Sequence, residues 1–228
     1  MQLPFEIPAR HTRPWDVVTL GLNSIDLVAR VTEYPVRNSK QALRQLSHLP
    51  GGQMATAAAV CARLGWRARY IGSFGSDEFA VMGRASLEAE GVDVSAAWNV
   101  DGATSQFAIV IVDDSGDRTV LWNRHPGLAI RAAQVPVAAV TSGRLLIVDC
   151  HETAGAAAAA TAARRAGVPT IVDVEKVRPG IEALLSEIDA IIAAQDFPAA
   201  HTGYADPGRA IAALASQYRA PLVSVTLG

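Results

Sequence analysis

Short apolar runs, each bounded by glycine, proline or charge, recur along the chain. WDVVTLGLN, ARYIGSFG, GRLLIVDC, PTIVDV, DAIIAA and PLVSVTLG read as buried strands. Between them lie segments with helical spacing. Residues 53–64 carry a stripe of Ala55, Ala58, Ala59 and Ala62, small enough to pack closely on a sheet. DEFAVMGRASLEAEG is amphipathic and stopped by Gly91. AGAAAAATAARRAG, GIEALLSEI and PGRAIAALASQYR complete the helices. From residue 143 onward, strand and helix alternate with short connections. That order predicts an α/β fold: a mostly parallel, Rossmann-like sheet with helices on both faces.

Two stretches break this alternation. TSQFAIVIVDDSGDRTVLWN is two extended runs joined by DDSGD, a hairpin. LVARVTEYP continues extended, whereas SKQALRQLSHLP is polar and mixed, with no helical stripe. Segments 30–48 and 104–124 are expected to pair into a small β lid beside one domain spanning 15–228. An isolated hairpin is marginal in water, so a lid with apolar faces needs a cover. Residues 1–14 hold three prolines and no periodicity, and read as a poorly ordered lead-in.

Composition narrows the class. The 228 residues suffice for one substantial core. Formal net charge is −2 and the arginines are scattered, which argues against a nucleic-acid partner. The two cysteines, Cys61 and Cys150, sit in apolar segments and do not suggest a disulfide framework. The N-terminus lacks the apolar core of a signal peptide. TAGAAAAATAARRAG is too weakly hydrophobic to span a bilayer. A cytoplasmic location without membrane association is expected.

The candidate chemistry lies at strand ends and helix starts. Gly51 and Gly52 open a helix whose first N–H groups lack intrahelical partners. Glycines there let ligand oxygens approach closely. Gln53 adds a neutral donor and acceptor suited to hydroxyls, and Thr56 lies one turn on. The alternative is an ordinary tight turn into a packed helix. No G-x-G-x-x-G follows the first strand and no P-loop lysine is present, which disfavours a nicotinamide enzyme. Asp26 follows VVTLGLNSI, at the edge where ligands collect in open α/β sheets, and could accept from two hydroxyls. Asn23 lies three residues earlier. A solvated loop aspartate is the competing reading. Asp149, His151 and Glu152 in DCHE follow another buried strand. They could contact substrate, or form a helix-start cluster with Glu152 or Thr153 near the N-cap. No metal-ligand spacing accompanies them. Asp173, Glu175 and Lys176 of VDVEK surround a further strand end. Gln106, on the hairpin, is placed to close over the same edge.

These pieces resemble, in order, the ribokinase-like (PfkB) carbohydrate kinases from about Asp16 to Gly228. GLNSID is similar to the family motif whose aspartate, here Asp26, binds sugar hydroxyls. GGQMATAA resembles the di-glycine substrate motif, with Gln53 and Thr56 where asparagines are usual. ARLGWRARYIGSFGSDEFAVMGRASLEAEGVDVS follows the family pattern throughout. The hairpin resembles the lid. VSVTLG resembles the strand entering the nucleotide site, which implies Thr226 and Gly228 as nucleotide contacts. VDVEK is nearest in flavour to ketohexokinase and related ketose or sulfosugar kinases. The N-x-x-E segment that organises the magnesium–phosphate region reads AQDF at 194–197, and no metal ligand is assigned. The family's GAGD motif, which supplies the base and anion hole, is not found within the 228 residues. It is expected beyond Gly228, so the fold is expected to be truncated at its C-terminus and no catalytic residue is assigned.

The resemblance implies ATP-dependent phosphorylation of a sugar hydroxyl, with ATP and Mg2+ as cofactors. This chain would carry mainly the sugar-binding half: Asn23, Asp26, Gly51, Gly52, Gln53, Gln106 and Asp149. It also implies a homodimer through the lid. The alternative is a kinase-like remnant that binds a small polar ligand without turnover.

Overall fold

Alternation of buried residues along short strands places two apolar cores on opposite faces of one sheet. The computed structural model describes residues 3–227. In chain order the first elements are β1 (Val17–Leu20), β2 (Ser24–Arg30), β3 (Gln45–Gly51), α1 (Gln53–Arg63), β4 (Ala68–Ile71) and β5 (Ser73–Phe74). Then come α2 (Glu78–Ala89), β6 (Trp98–Asn99), β7 (Phe107–Val112), β8 (Arg118–Asn123), α3 (Val137–Val140) and β9 (Leu146–Asp149). The last part holds α4 (Thr153–Arg165), β10 (Thr170–Val174), α5 (Ile181–Leu185), β11 (Ala190–Ala194), α6 (Phe197–Thr202), α7 (Pro207–Tyr218) and β12 (Leu222–Thr226).

The main sheet has six strands in the order β12-β11-β10-β9-β1-β4, all parallel. Val18, Leu20, Val148 and Val172 point to one face, where the small residues Ala156, Ala159, Ala160 and Ala163 of α4 pack on them. Val17, Tyr70 and Ile147 point to the other, against Met54, Ala55 and Ala58 of α1. Alanine at those helix positions brings backbone close to the sheet. α2 starts on Asp77, whose side chain accepts from Ala80 N–H, and its Ala80 and Leu87 continue the second core.

A second sheet of four strands runs β3-β2-β7-β8. β2 and β7 are parallel, and the outer pairs are antiparallel. Its first pair, β2 and β3, runs from Ser24 to Gly51 and so extends beyond segment 30–48, while β7 and β8 lie within 104–124. Residues 3–14 form no helix or strand, but the Pro8 carbonyl accepts from Arg144 Nε at 2.6 Å. Arg13 donates through Nη2 to the Ala166 carbonyl at 2.6 Å. Among the described residues, no helix is long and apolar enough to cross a membrane.

Candidate functional site at the carboxyl edge of the sheet

The register of the lid decides which side chains can meet a ligand. Ile25 pairs with Pro50 and Phe107, and His48 with Leu27. Phe79 of α2 packs its ring against Phe107 at 5.8 Å and His48 at 6.4 Å, so this face is turned onto α2. Side chains alternate across a strand. Asp26 and its register partners Leu49 and Ala108, with Trp122 beyond, therefore lie on the opposite face. Gln106, one residue before Phe107, shares it.

Asp26 sits directly beside the glycine pair. A Cβ on Gly51 would stand 2.7 Å from Asp26 Oδ2, and Ser24 Oγ donates to Asp26 Oδ1 at 3.0 Å. Gly52 has φ 94° and serves as the backbone N-cap of α1 with no side-chain cap bond. Its Cα approaches Asn23 so closely that a Cβ would meet the Asn23 Cα at 2.4 Å. The N–H of Ala55 is satisfied by the Leu22 carbonyl at 3.1 Å. Among the described residues the Gln53 and Met54 N–H groups have no such partner. Gln53 reaches across to β10, where Nε2 donates to Asp173 Oδ2 at 3.0 Å. Its Oε1 is buried without a partner. Burial raises the Asp173 carboxyl, helped by Glu175 and opposed by the Gln53 bond.

Asn23 and Asp149 turn inward. Asn23 Nδ2 donates to the Tyr70 hydroxyl at 2.7 Å and the Ser73 carbonyl at 2.8 Å, and Tyr70 donates to the Gly21 carbonyl. Asp149 is fully buried, its oxygens accepting from Leu22 N–H at 2.6 Å and His151 N–H at 2.9 Å. Both were expected to face a ligand. Instead they lock the turn after β1 to β4 and β9, and so hold the backbone that carries Asp26 and faces Gly52. Burial pushes the Asp149 carboxyl up to about 6 against those two hydrogen bonds. A carboxyl raised on folding stabilises the fold most below its unfolded value and loses that contribution as pH rises through the folded one. The stability of the wild type relative to Asp149→Asn is therefore expected to fall by about 3 kcal/mol between pH 4 and pH 7. Denaturant midpoints at both pH values measure it, and a pH-independent difference would refute it.

A ring of charge completes the edge. Arg124, just past β8, donates to Glu152 Oε1 at 2.7 Å, to the Leu128 carbonyl at 2.9 Å and to Gln106 Oε1 at 3.3 Å. This largely buried pair ties the lid base to the start of α4. Glu152 occupies the backbone N-cap position, but its side chain makes no cap bond, and Thr153 bonds Pro179. His151 lies 3.6 Å from Glu175, with Arg178 3.4 Å from both. Burial and then Arg178 lower the imidazole to about 4, so it is neutral at pH 7 and its contact with Glu175 is no ion pair. Arg124 and Arg178 were not singled out in the sequence. The only sequence hint for Arg124 is its place at the end of the hairpin. Among the described residues no group of three or more His, Cys, Asp or Glu could hold a metal ion. Thr226 lies at the carboxyl end of β12, in register with Ala194, where AQDF begins. Gly228 lies outside the described residues. A cleft of about 180 Å³ runs between α1 and α2, lined by Asn23, Ser24 and Gly51 at one end and by Thr56, Arg63, Ser86 and Glu90 along the helices.

This arrangement of a six-stranded parallel sheet, a lid sheet and a glycine-opened helix is a ribokinase-like fold. Arabidopsis thaliana ribokinase, solved with ribose and ATP, superposes with a TM-score of 0.77 at 21% identity, over 92% of this chain and 71% of that one. A PfkB protein from Polaromonas sp. JS666 does so with a TM-score of 0.78 at 22% identity, over 94% and 76%. The pattern of the pfkB family carbohydrate kinases matches residues 15–228, and the chain belongs to that family. An ATP-dependent ribose-1-phosphate kinase of Halopiger xanaduensis is 29% identical over 157 residues, 69% of this chain and 53% of the relative. A fructokinase-1 of Zea mays is 33% identical over 110 residues, 48% and 33%. The matches span about half or less of the length of these relatives.

Proposed function

We propose that this chain carries the sugar-binding half of an ATP-dependent carbohydrate kinase. The observation that carries the reading is the Asp26 carboxylate set against Gly51 at the open start of α1. Asp26 accepts from two ligand hydroxyls. The glycine backbone lets the sugar come close, and Gln53 Oε1 and Gln106 supply neutral bonds. Asn23 and Asp149 support this surface from below. In phosphoryl transfer the protein mainly positions reactants and stabilises charge. ATP is the proposed donor, approaching from the Thr226 end of the edge. Mg2+ is expected from the family, but the described residues offer no ligand cluster for it. No described residue is assigned as the base.

Relatives named for ribose 1-phosphate, fructose and nucleosides set the test panel. Calorimetric titration with ketoses, aldoses and nucleosides should find at least one ligand that binds in the micromolar to millimolar range. Absence of binding across the panel would refute the reading. A coupled ATP assay on the same material separates turnover from binding alone.

The lid is further proposed to be covered by a second copy. Trp122, 65% exposed, stands with Leu49 and Val120 on the Asp26 face, an apolar surface flanking the site. Sedimentation at micromolar concentration should show a dimer that Trp122→Glu converts to monomer; a wild type that is already monomeric excludes it.

A further inference from the structure

At the amino edge of the main sheet, opposite the sugar site, Arg10, Arg67 and Arg144 face one carboxylate, Asp16, around a cavity of about 340 Å³. That volume is within the usual range for a small-molecule site, roughly 300–1,000 Å³. Three positive charges less one leave an excess of two, in a chain whose formal net charge is −2. The arginines are held in place. Arg67 donates to Asp16 Oδ2 at 3.2 Å and to the Arg13 carbonyl at 3.2 Å. Arg144 donates to Asp16 Oδ1 at 2.9 Å and to the Pro8 carbonyl at 2.6 Å. Hydrogen bonds from Arg67 and then Arg144, working against partial burial, keep Asp16 well below the usual carboxylate range. Each guanidinium keeps a free end: Arg67 Nη1 and Arg144 Nη2 have no partner among the described residues. Among the described residues Arg10 makes no hydrogen bond or ion pair. Trp66, 39% exposed, forms an aromatic wall.

We propose that this cavity binds a phosphate monoester of sugar size. A monoester carries about −1.5 to −2 at neutral pH, matching the local excess. Its oxygens fit the fork of the guanidinium groups, and the C–H face of a sugar fits against an indole. The site is separate from the sugar site. Asp16 precedes β1 and Asn23 follows it, so the four residues of that strand, about 13 Å, stand between the two sites.

The test uses the 228-residue chain with 5-fluorotryptophan at its four tryptophans, the Trp66 resonance being assigned with Trp66→Phe. Inorganic phosphate, ribose 5-phosphate and ribose are the probes. Both phosphates should shift the Trp66 resonance saturably, and ribose should leave it unmoved. Arg10→Gln and Arg67→Gln should each weaken ribose 5-phosphate about tenfold. Arg10 has no bond to lose, so its variant remains folded even if the Arg67 variant does not. No saturable shift up to tens of millimolar would overturn the proposal. So would a shift that both variants leave unchanged, which would mean an adventitious ion only. Ribose 5-phosphate sensed at Trp122 but not Trp66 would place the ligand at the sugar site and overturn it too. Sugar binding is read at Trp122, so failure of the kinase reading and failure of this one are distinguishable.

Discussion

Gly52→Ala is expected to destabilise the chain by about 3 kcal/mol or more, or to prevent folding. Two separate effects add. The residue has φ 94° and ψ 134°, outside the left-handed helical well, where an L side chain costs about 1–3 kcal/mol. The new methyl group would also meet backbone: Asn23 Cα at 2.4 Å and the Leu22 carbonyl oxygen at 2.7 Å. That backbone cannot retreat easily. Asn23 is pinned through Tyr70 and Ser73, and Leu22 N–H is held by Asp149. Gly65 separates the two effects, since it has φ 83° but nothing within 4 Å of an added Cβ. Gly65→Ala should show the cost of a positive φ without any close approach to backbone. At about 2–4 °C per kcal/mol for a chain of this size, Gly52→Ala should melt at least about 6 °C lower than wild type. Equal losses in the two variants would mean that the close approach to Asn23 contributes nothing.

The parts of this fold that were legible in the sequence are those with a repeating physical signal. Fully buried strands such as Leu146–Asp149 and Thr170–Val174 are short apolar runs, and their alternation with alanine-rich helices gives the parallel sheet directly. The glycine pair was legible because a helix opened by two glycines needs a reason. β3 was not. It is an edge strand exposed over most of its length, so Gln45–Gly51 has no apolar alternation to read. α6 was missed because Phe197–Thr202 is only a turn and a half, opened by a proline. At the site, position along the chain was a good guide and side-chain direction was not. Asn23 and Asp149 do lie at strand ends, yet their polar atoms satisfy backbone and a buried tyrosine. Arg124 and Glu152 are 28 residues apart, on different sheets' connections, and no local pattern reports that they meet.

Asp26→Ala is expected to weaken the cognate sugar by about 10²–10⁴-fold, corresponding to loss of two hydrogen bonds to a carboxylate at about 1.5–3 kcal/mol each. Stability should change little, because within the chain Asp26 bonds only Ser24 among the described residues and is partly exposed. Affinity lost without stability lost is the signature of a ligand contact, and a purely structural aspartate would show the reverse. Asp26→Asn keeps the shape but replaces one acceptor oxygen by a donor, so it should recover only part of the affinity. Gly51→Ala attacks the same contact from the other side. Gly51 is not among the positive-φ glycines, but its Cβ would stand 2.7 Å from Asp26 Oδ2 and must turn the carboxylate away. The two substitutions should therefore be less than additive, since either one removes the same pair of bonds. Calorimetric titration of wild type, both single variants and the double variant closes the cycle. Full additivity would show that Asp26 and Gly51 act on different ligand groups, and unchanged affinity in Asp26→Ala would remove the sugar site from this edge of the sheet.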